Sequence, residues 1–363
     1  MIENRIYNFS AGPSMLAESV LKKAQEQMLN YEGSGMSVME MSHRSKVYDK
    51  IITDTEALFH EVMGIPDDYK VLFLAGGATG MFAAIPMNLA VKGNPDYVVT
   101  GNFAGGSFKE AKKYAPDAKA AADLTDENFV RIPQQSELKL NPDADYVHIC
   151  FNNTIFGTKW NYIPETGNVP LVADMSSCIL SEPVDVTKFD VIYAGAQKNI
   201  APAGVTIVIV KKSLLGNAKP ITPKIWNFAT ETEKDSMLNT PPCYSIYIAM
   251  LVLQWIRDEI GGLENMQKRN IKKASALYDY LDSTDFYKTT VEKNSRSMMN
   301  VVFRTGNDDL DAKFVKESQA AGMSNLKGHR LVGGMRASIY NAMPQEGVEY
   351  LIDFMKKFEA ANK

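Results

Sequence analysis

The sequence predicts an α/β chain, with a large lobe built on a mostly parallel sheet and a smaller C-terminal α+β lobe. Three observations predict it. Six short apolar runs, at residues 71–74, 97–101, 146–151, 171–173, 191–194 and 205–210, punctuate the first two thirds of the chain, and helical spacing fills several of the gaps between them. Several runs end in glycine, asparagine or a charged residue, and open parallel sheets bind ligands beyond the carboxyl ends of their strands. Past residue 263 the alternation thins to two strands and a few helices, which sets that part off as a separate lobe.

Composition narrows the function classes. The 363 residues, 45% of them hydrophobic, are enough for one two-lobed domain or two modest ones. A net charge of −4 and the absence of a long Lys/Arg run argue against nucleic-acid binding. The longest apolar block, residues 246–256, is too short to span a bilayer and ends at Arg257. The first ten residues lack the cationic start and apolar core of a signal peptide. Cys150, Cys178 and Cys243 are odd in number and form no CxxC pair, so neither a disulfide framework nor a metal site is expected. A cytoplasmic protein without membrane or nucleic-acid partners is the expectation.

The elements follow in order. Residues 1–14 read as an arm, and Ser-Ala-Gly-Pro at 10–13 turns it into a helix over 15–31 that Gly33 and Gly35 break. Ser45 is positioned to cap a second helix, over 46–63, whose apolar residues fall near helical spacing. His43 and Arg44 then lie on a loop at a helix start, where either a solvated basic pair or an anion site fits. The strand at 71–74 runs into Ala-Gly-Gly-Ala-Thr-Gly at 75–80 and a helix from 81 to about 91. Such a turn offers free backbone N–H groups to a phosphate, with Thr79 adding a hydroxyl, though a plain tight turn fits equally well. It matches neither the dinucleotide fingerprint nor a Walker A sequence.

The strand at 97–101 places Phe103 at its end, where the ring is either core or a stacking surface for a flat ligand; a helix follows over 107–114. The strand at 146–151 is closed by Asn152, Asn153 and Thr154. His148 within it reads as a satisfied histidine, since no second ligand stands at metal spacing. Asp174 ends the next strand, and Lys198 follows the one after, set in Ala-Gly-Ala-Gln-Lys-Asn at 194–199. Singly, each reads as a cap or a solvated surface charge. Together, at neighbouring strand ends and among small residues that allow close approach, they are what pyridoxal 5'-phosphate requires: an amine for its aldehyde and a counter-charge for its ring nitrogen. A long loop over 211–242, helices at 243–259 and 263–281, strands at 298–303 and 335–339, and helices at 308–321 and 346–360 complete the chain.

At this point a family likeness carries further. Asn-Phe-Ser-Ala-Gly-Pro (8–13), Ser-His-Arg-Ser (42–45), Ala-Gly-Ala-Gln-Lys-Asn (194–199), Asn-Thr-Pro-Pro (239–242), and Lys-Gly-His-Arg with Gly-Gly-Met-Arg-Ala-Ser-Ile-Tyr-Asn-Ala-Met (within 327–343) run in order along the chain. On these motifs the sequence resembles, over its whole length, the phosphoserine aminotransferase family, class V members of the fold-type I pyridoxal-phosphate enzymes. The resemblance implies a large cofactor-binding domain at 15–262 and a small domain from 1–14 with 263–363. It implies a homodimer with shared active sites, in which Asn239 and Thr240 reach the partner's cofactor phosphate and His329 and Arg330 cross the same boundary. The implied reaction is glutamate plus 3-phosphohydroxypyruvate giving O-phosphoserine and 2-oxoglutarate in serine biosynthesis, with 4-phosphohydroxythreonine of pyridoxine biosynthesis as a second substrate. Lys198 and Asp174 are implied to be catalytic. Ala78, Thr79, Phe103, Thr154, Gln197, Asn239 and Thr240 would hold the cofactor, and His43, Arg44, His329, Arg330 and Arg336 the substrate anions.

Two positions depart from the family pattern: Phe103 stands where tryptophan is usual, and Thr79 where arginine is frequent. A smaller stacking ring and one cation fewer bear on cofactor affinity, not on reaction type. A desulfurase of the same fold would need a mobile nucleophilic cysteine, yet Cys243 follows two prolines and Cys150 is read as lying mid-strand. A dehydrogenase would need the missing dinucleotide fingerprint. A non-catalytic binding protein of this fold would have no use for Lys198 with Asp174.

Overall fold

The computed structural model describes residues 5–363. The first four residues of the expected arm lie outside the described residues. The arm enters as β1 (Tyr7–Asn8), and α1 (Glu18–Glu26) is shorter than expected at both ends, the chain leaving helical geometry at Gln27. Helix α2 (Lys46–Met63) has the expected limits: Ser45 Oγ accepts the Tyr48 N–H at 3.2 Å, and Gly64 closes the helix at φ 63°.

Then come β2 (Tyr69–Leu74), α3 (Gly77–Leu89), β3 (Asp96–Val99), α4 (Asn102–Ala111) and β4 (Lys119–Asp123). Helices α3 and α4 each begin about a turn earlier than the spacing predicts: Gly76, at φ 111°, lets the chain enter α3 at once, and Gly101 before α4 leaves room for Asn153, whose Oδ1 would lie 2.6 Å from a Cβ there. Phe103 is thus in the first turn of α4 and not at a strand end. Strand β4 was not legible: its alanines have little strand preference, and it lies at the sheet edge, where pairing on one side suffices.

Strand β5 (Val147–Cys150) leads through a small hairpin, β6 (Asn152–Asn153) and β7 (Thr158–Lys159), to β8 (Leu171–Asp174), β9 (Val191–Gly195) and β10 (Thr206–Lys211). Within the long loop sits α5 (Phe228–Glu233), followed by α6 (Cys243–Gln254), which widens into a π-turn to Ile260, and α7 (Leu263–Asp282). The chain ends with β11 (Asn300–Phe303), α8 (Asp308–Ala320), β12 (Met323–Ser324), β13 (Met335–Ser338) and α9 (Gln345–Asn362).

Seven strands form one sheet in the order β2-β10-β9-β8-β5-β3-β4. Neighbours are parallel except at β10, which is antiparallel to both β2 and β9 because it returns directly from the turn after β9. Both faces are covered, which explains unbroken apolar runs instead of alternation. Val71, Phe73, Ile207 and Ile209 point into a core with α2 and α6; Leu72, Leu74, Val208 and Val210 point the other way, onto residues of α3.

A separate core gathers Phe303, Phe314, Leu351 and Phe358, together with Phe9 and Met15 from the N-terminal arm. The arm is held there by parallel pairing of β1 with β12, beside the antiparallel pair β11–β13. Core membership changes within α7: Leu263 and Met266 pack with the large core, whereas Ala274 and Leu277 pack with the small one.

Candidate active site

Strands β8 and β9 run side by side with Asp174 opposite Tyr193, so their carboxyl ends open on the same edge. Asp174 is the last residue of β8, and Lys198 lies in the turn just beyond β9. Between them is a cavity of about 290 Å³ lined by Asp174, Lys198, Gln197, Thr154, Phe103, Ala78, Thr79, His329 and Arg336, among others. Nine of the fourteen residues named from the sequence therefore meet in one place.

The polar groups of this cavity constrain one another. Lys198 Nζ donates to Thr154 Oγ1 at 2.9 Å and stands 5.7 Å from the centre of the Phe103 ring. Burial pulls the Lys198 ammonium below the ordinary lysine value, and the charge of Asp174 opposes that pull. Asp174 is buried and accepts the Ser176 N–H at 2.9 Å. Burial raises its carboxyl, while the Ser176 donors, Lys198 and the Tyr193 hydroxyl favour the charged form. Gly12 presses on the lysine stem: a Cβ there would meet Lys198 Cγ at 3.3 Å, at a backbone φ of 136°.

Arg336 projects from β13 into the same space, where its Nη1 donates to the Thr154 carbonyl at 3.3 Å and its buried Nε has no partner. A guanidinium in this state is short of an anion. Burial holds it below the usual arginine range. His329 is likewise pushed down, first by burial and then by Arg336 and Arg330, so it favours the neutral form. Its Nδ1 accepts the Leu331 N–H at 3.3 Å, which assigns the proton to Nε2. The first N–H groups of α3, at Gly77, Ala78 and Thr79, open on the cavity at a helix N-terminus that no side chain caps.

The remaining candidates lie elsewhere. Arg44 and Arg330 are exposed, and His43 is half-buried with Nε2 unpartnered. Asn239 and Thr240 are exposed on the loop before α6, with Asn239 beside a small void near Trp226 and Pro242. His329, expected to cross to a second chain, lines the cavity of its own chain. The turn carrying it folds back onto β13 through the Gly328 N–H to Gly334 carbonyl bond at 2.8 Å.

Cys150 also needs correcting. It is the final residue of β5 and lines the cavity, although burial holds its thiol well above the ordinary range, which makes it a poor nucleophile. Sequence reasoning missed Ser176, Tyr193 and Gly12. The Asp174-x-Ser176 spacing is a recognisable side-chain-to-backbone turn, whereas Tyr193 read only as strand. His148 is buried, stacked on Tyr97 at 4.8 Å and hydrogen-bonded to the Tyr193 hydroxyl at 2.9 Å, so a chain of contacts runs from Asp174 into the sheet. Among the described residues no cluster of His, Cys, Asp and Glu could hold a metal, and no helix is long and apolar enough to cross a membrane.

The aminotransferase class-V family model matches residues 6–351. A phosphoserine aminotransferase of Desulfatibacillum aliphaticivorans is 50% identical over 362 residues, covering 99% of this chain and all of that protein. The solved phosphoserine aminotransferase of Bacillus circulans subsp. alkalophilus superposes with a TM-score of 0.96 at 44% identity, over 99% of this chain and 100% of that one. That of Trichomonas vaginalis, solved with PLP bound, gives 0.92 at 36% identity over 97% of this chain and 100% of its own. With half its residues identical from end to end, and with the strand-end lysine and aspartate in one cavity, the chain belongs to the phosphoserine aminotransferase family of class-V aminotransferases.

Proposed function

We infer that the chain is a pyridoxal-phosphate-dependent phosphoserine aminotransferase, moving the amino group of glutamate to 3-phosphohydroxypyruvate to give O-phosphoserine and 2-oxoglutarate. The observation that carries this is the half-buried Lys198 amine, fixed on Thr154 Oγ1 at 2.9 Å in one cavity with Asp174 and the anion-deficient Arg336. The residues present fit the cofactor. Asp174 is buried at one side, the uncapped start of α3 offers N–H groups to a phosphate, and Phe103 gives a flat face beside Lys198.

When bound, the cofactor supplies an aldehyde that exchanges the amino group and a protonated ring that withdraws electrons from the substrate α-carbon. Lys198 would hold the cofactor at rest, and its Nζ would then take the substrate α-proton and deliver it to the carbon of the cofactor's former aldehyde; burial favours the neutral amine that this needs. Asp174 keeps the ring nitrogen protonated, its own charge sustained by Ser176 and Tyr193. Gln197, Ala78 and Thr79 hold the cofactor, and Arg336 grips the substrate carboxylate as a fork. His43, Arg44, His329 and Arg330 receive the second anion, a phosphate or the glutamate side chain.

The placement of Arg44, Asn239 and Thr240 in solvent, and of half-buried His43 with its Nε2 unpartnered, is accounted for by a homodimer in which these residues complete the partner's site. Leu29, Met36, Met39 and Val47, exposed in the stretch of chain that flanks the first pair, provide apolar surface for the contact. The reaction belongs to serine biosynthesis in the cytoplasm, and 4-phosphohydroxythreonine of pyridoxine biosynthesis is a second substrate. The test is the half-reaction spectrum of purified holoenzyme with O-phosphoserine, compared with serine. A rapid spectral change with the former, lost in Lys198→Ala, is expected. Full turnover by Lys198→Ala, or equal rates with serine, overturns the reading.

A further inference from the structure

Beside the cofactor cavity lies a second and larger one, about 620 Å³, that the reaction above does not use. The two share walls but not residues. Phe103, Ile155 and His329 face the first, while Asn102, Phe156 and Leu331, one or two positions away, face the second. Its volume falls within the range of small-molecule sites.

The lining has two characters. One part is apolar: Phe129, Phe156 and the half-exposed Leu331, with the Phe129 and Phe156 rings in contact at 4.6 Å. Phe129 and its neighbour Asn128 both sit at positive φ, 57° and 54°, a conformation that bulky residues rarely adopt. The rest of the lining includes α4, which carries Gly105, Phe108 and Lys109, with Lys112 at its C-cap, at successive helical turns. Neither lysine makes an ion pair among the described residues; Lys112 Nζ rests over the Phe108 ring at 4.4 Å. The one carboxylate in the lining, Asp123, accepts the Thr125 N–H at 3.0 Å and the Thr125 hydroxyl at 2.5 Å through Oδ1. The cavity therefore pairs aromatic surface with two cations that lack counter-charges.

We propose that this cavity is a second small-molecule site, which binds an organic anion with an apolar body, anion against Lys109 and Lys112 and body against Phe129 and Phe156. A purely apolar ligand would leave the lysines without gain, and a small inorganic anion would leave the aromatic wall wet. The cofactor and substrate residues are all outside it, so binding here is independent of transamination.

The test uses holoenzyme and two fluorescent probes, 8-anilinonaphthalene-1-sulfonate and its uncharged analogue N-phenyl-1-naphthylamine. The sulfonate should bind one per chain, more tightly than the analogue, and remain bound at saturating O-phosphoserine. Lys109→Gln/Lys112→Gln changes only exposed helix positions and should leave transamination unchanged. It should weaken the sulfonate roughly tenfold at low ionic strength, with no effect on the analogue. Thr125→Trp, which fills the space from an exposed loop position, should abolish binding of both. Undiminished sulfonate affinity in either variant, or displacement of the sulfonate by O-phosphoserine, overturns the proposal.

Discussion

Replacing Arg336 by methionine separates a residue kept for substrate from one kept for stability. In the free chain the guanidinium makes a single long hydrogen bond, 3.3 Å to the Thr154 carbonyl, and its Nε is buried without a partner. No carboxylate offsets its burial; desolvation pulls it down and the Tyr340 hydroxyl pulls the other way. Removing it thus forfeits about 1 kcal/mol of hydrogen bonding and relieves a desolvation cost of similar order, so folding stability should stay within about 1 kcal/mol of wild type. Substrate binding is different. A fork of two charge-assisted bonds to the α-carboxylate is worth roughly 3–5 kcal/mol, about 10²- to 10⁴-fold in kcat/KM. The loss should fall alike on phosphoserine, glutamate and the slow substrate alanine, since all carry that carboxylate. Steady-state kinetics with the three amino acids, beside a thermal melt of the cofactor-free protein, make the measurement. An unchanged kcat/KM, or a melting point lowered by more than about 4 °C, would refute the assignment.

Arg330→Ala should lower kcat/KM for phosphoserine and glutamate by roughly ten- to a hundredfold while sparing alanine, which has no second anion; an equal loss on alanine sinks this role. For His148, burial lowers the imidazole to about 3 from an ordinary 6.5. Its folded value is depressed, so the unfolded chain takes up the extra proton between those limits. Stability is full above pH 6.5 and falls towards pH 3 by about 1.4 kcal/mol per unit from this group. Denaturant titrations of His148→Phe, which keeps the stack on Tyr97, should show an acid slope shallower by about one proton, and an unchanged slope contradicts the burial argument. Ser45→Ala removes the acceptor of the Tyr48 N–H and should cost about 1 kcal/mol by urea unfolding with activity retained. A shift below about 0.3 kcal/mol would mean that water replaces the cap.

What the sequence determined by itself is what depends on short-range pattern. Apolar runs bounded by glycine located the central strands, because a strand covered on both faces must be apolar throughout; Ser45 marked the start of α2, because a cap is local. The pairing of Asp174 with Lys198 was legible because strand ends of a parallel sheet share an edge, and the family motifs carried the remaining names. Edge strand β4 and the early starts of α3 and α4 were not legible, since alanine and glycine carry little local preference and a neighbouring strand decides. Only the tertiary structure decided which candidates meet. Arg336 reaches the cavity because β13 pairs with β11, residues 35 positions apart at Met335 and Asn300 sharing one small sheet, whereas Arg330, six positions earlier, is left in solvent. Tyr193 became a support of Asp174 only through the register that sets β8 against β9, whereas the Ser176 N–H, two residues on, is a local contact. A side chain's environment is set by what packs against it from far along the chain, and that information lies in no window of sequence.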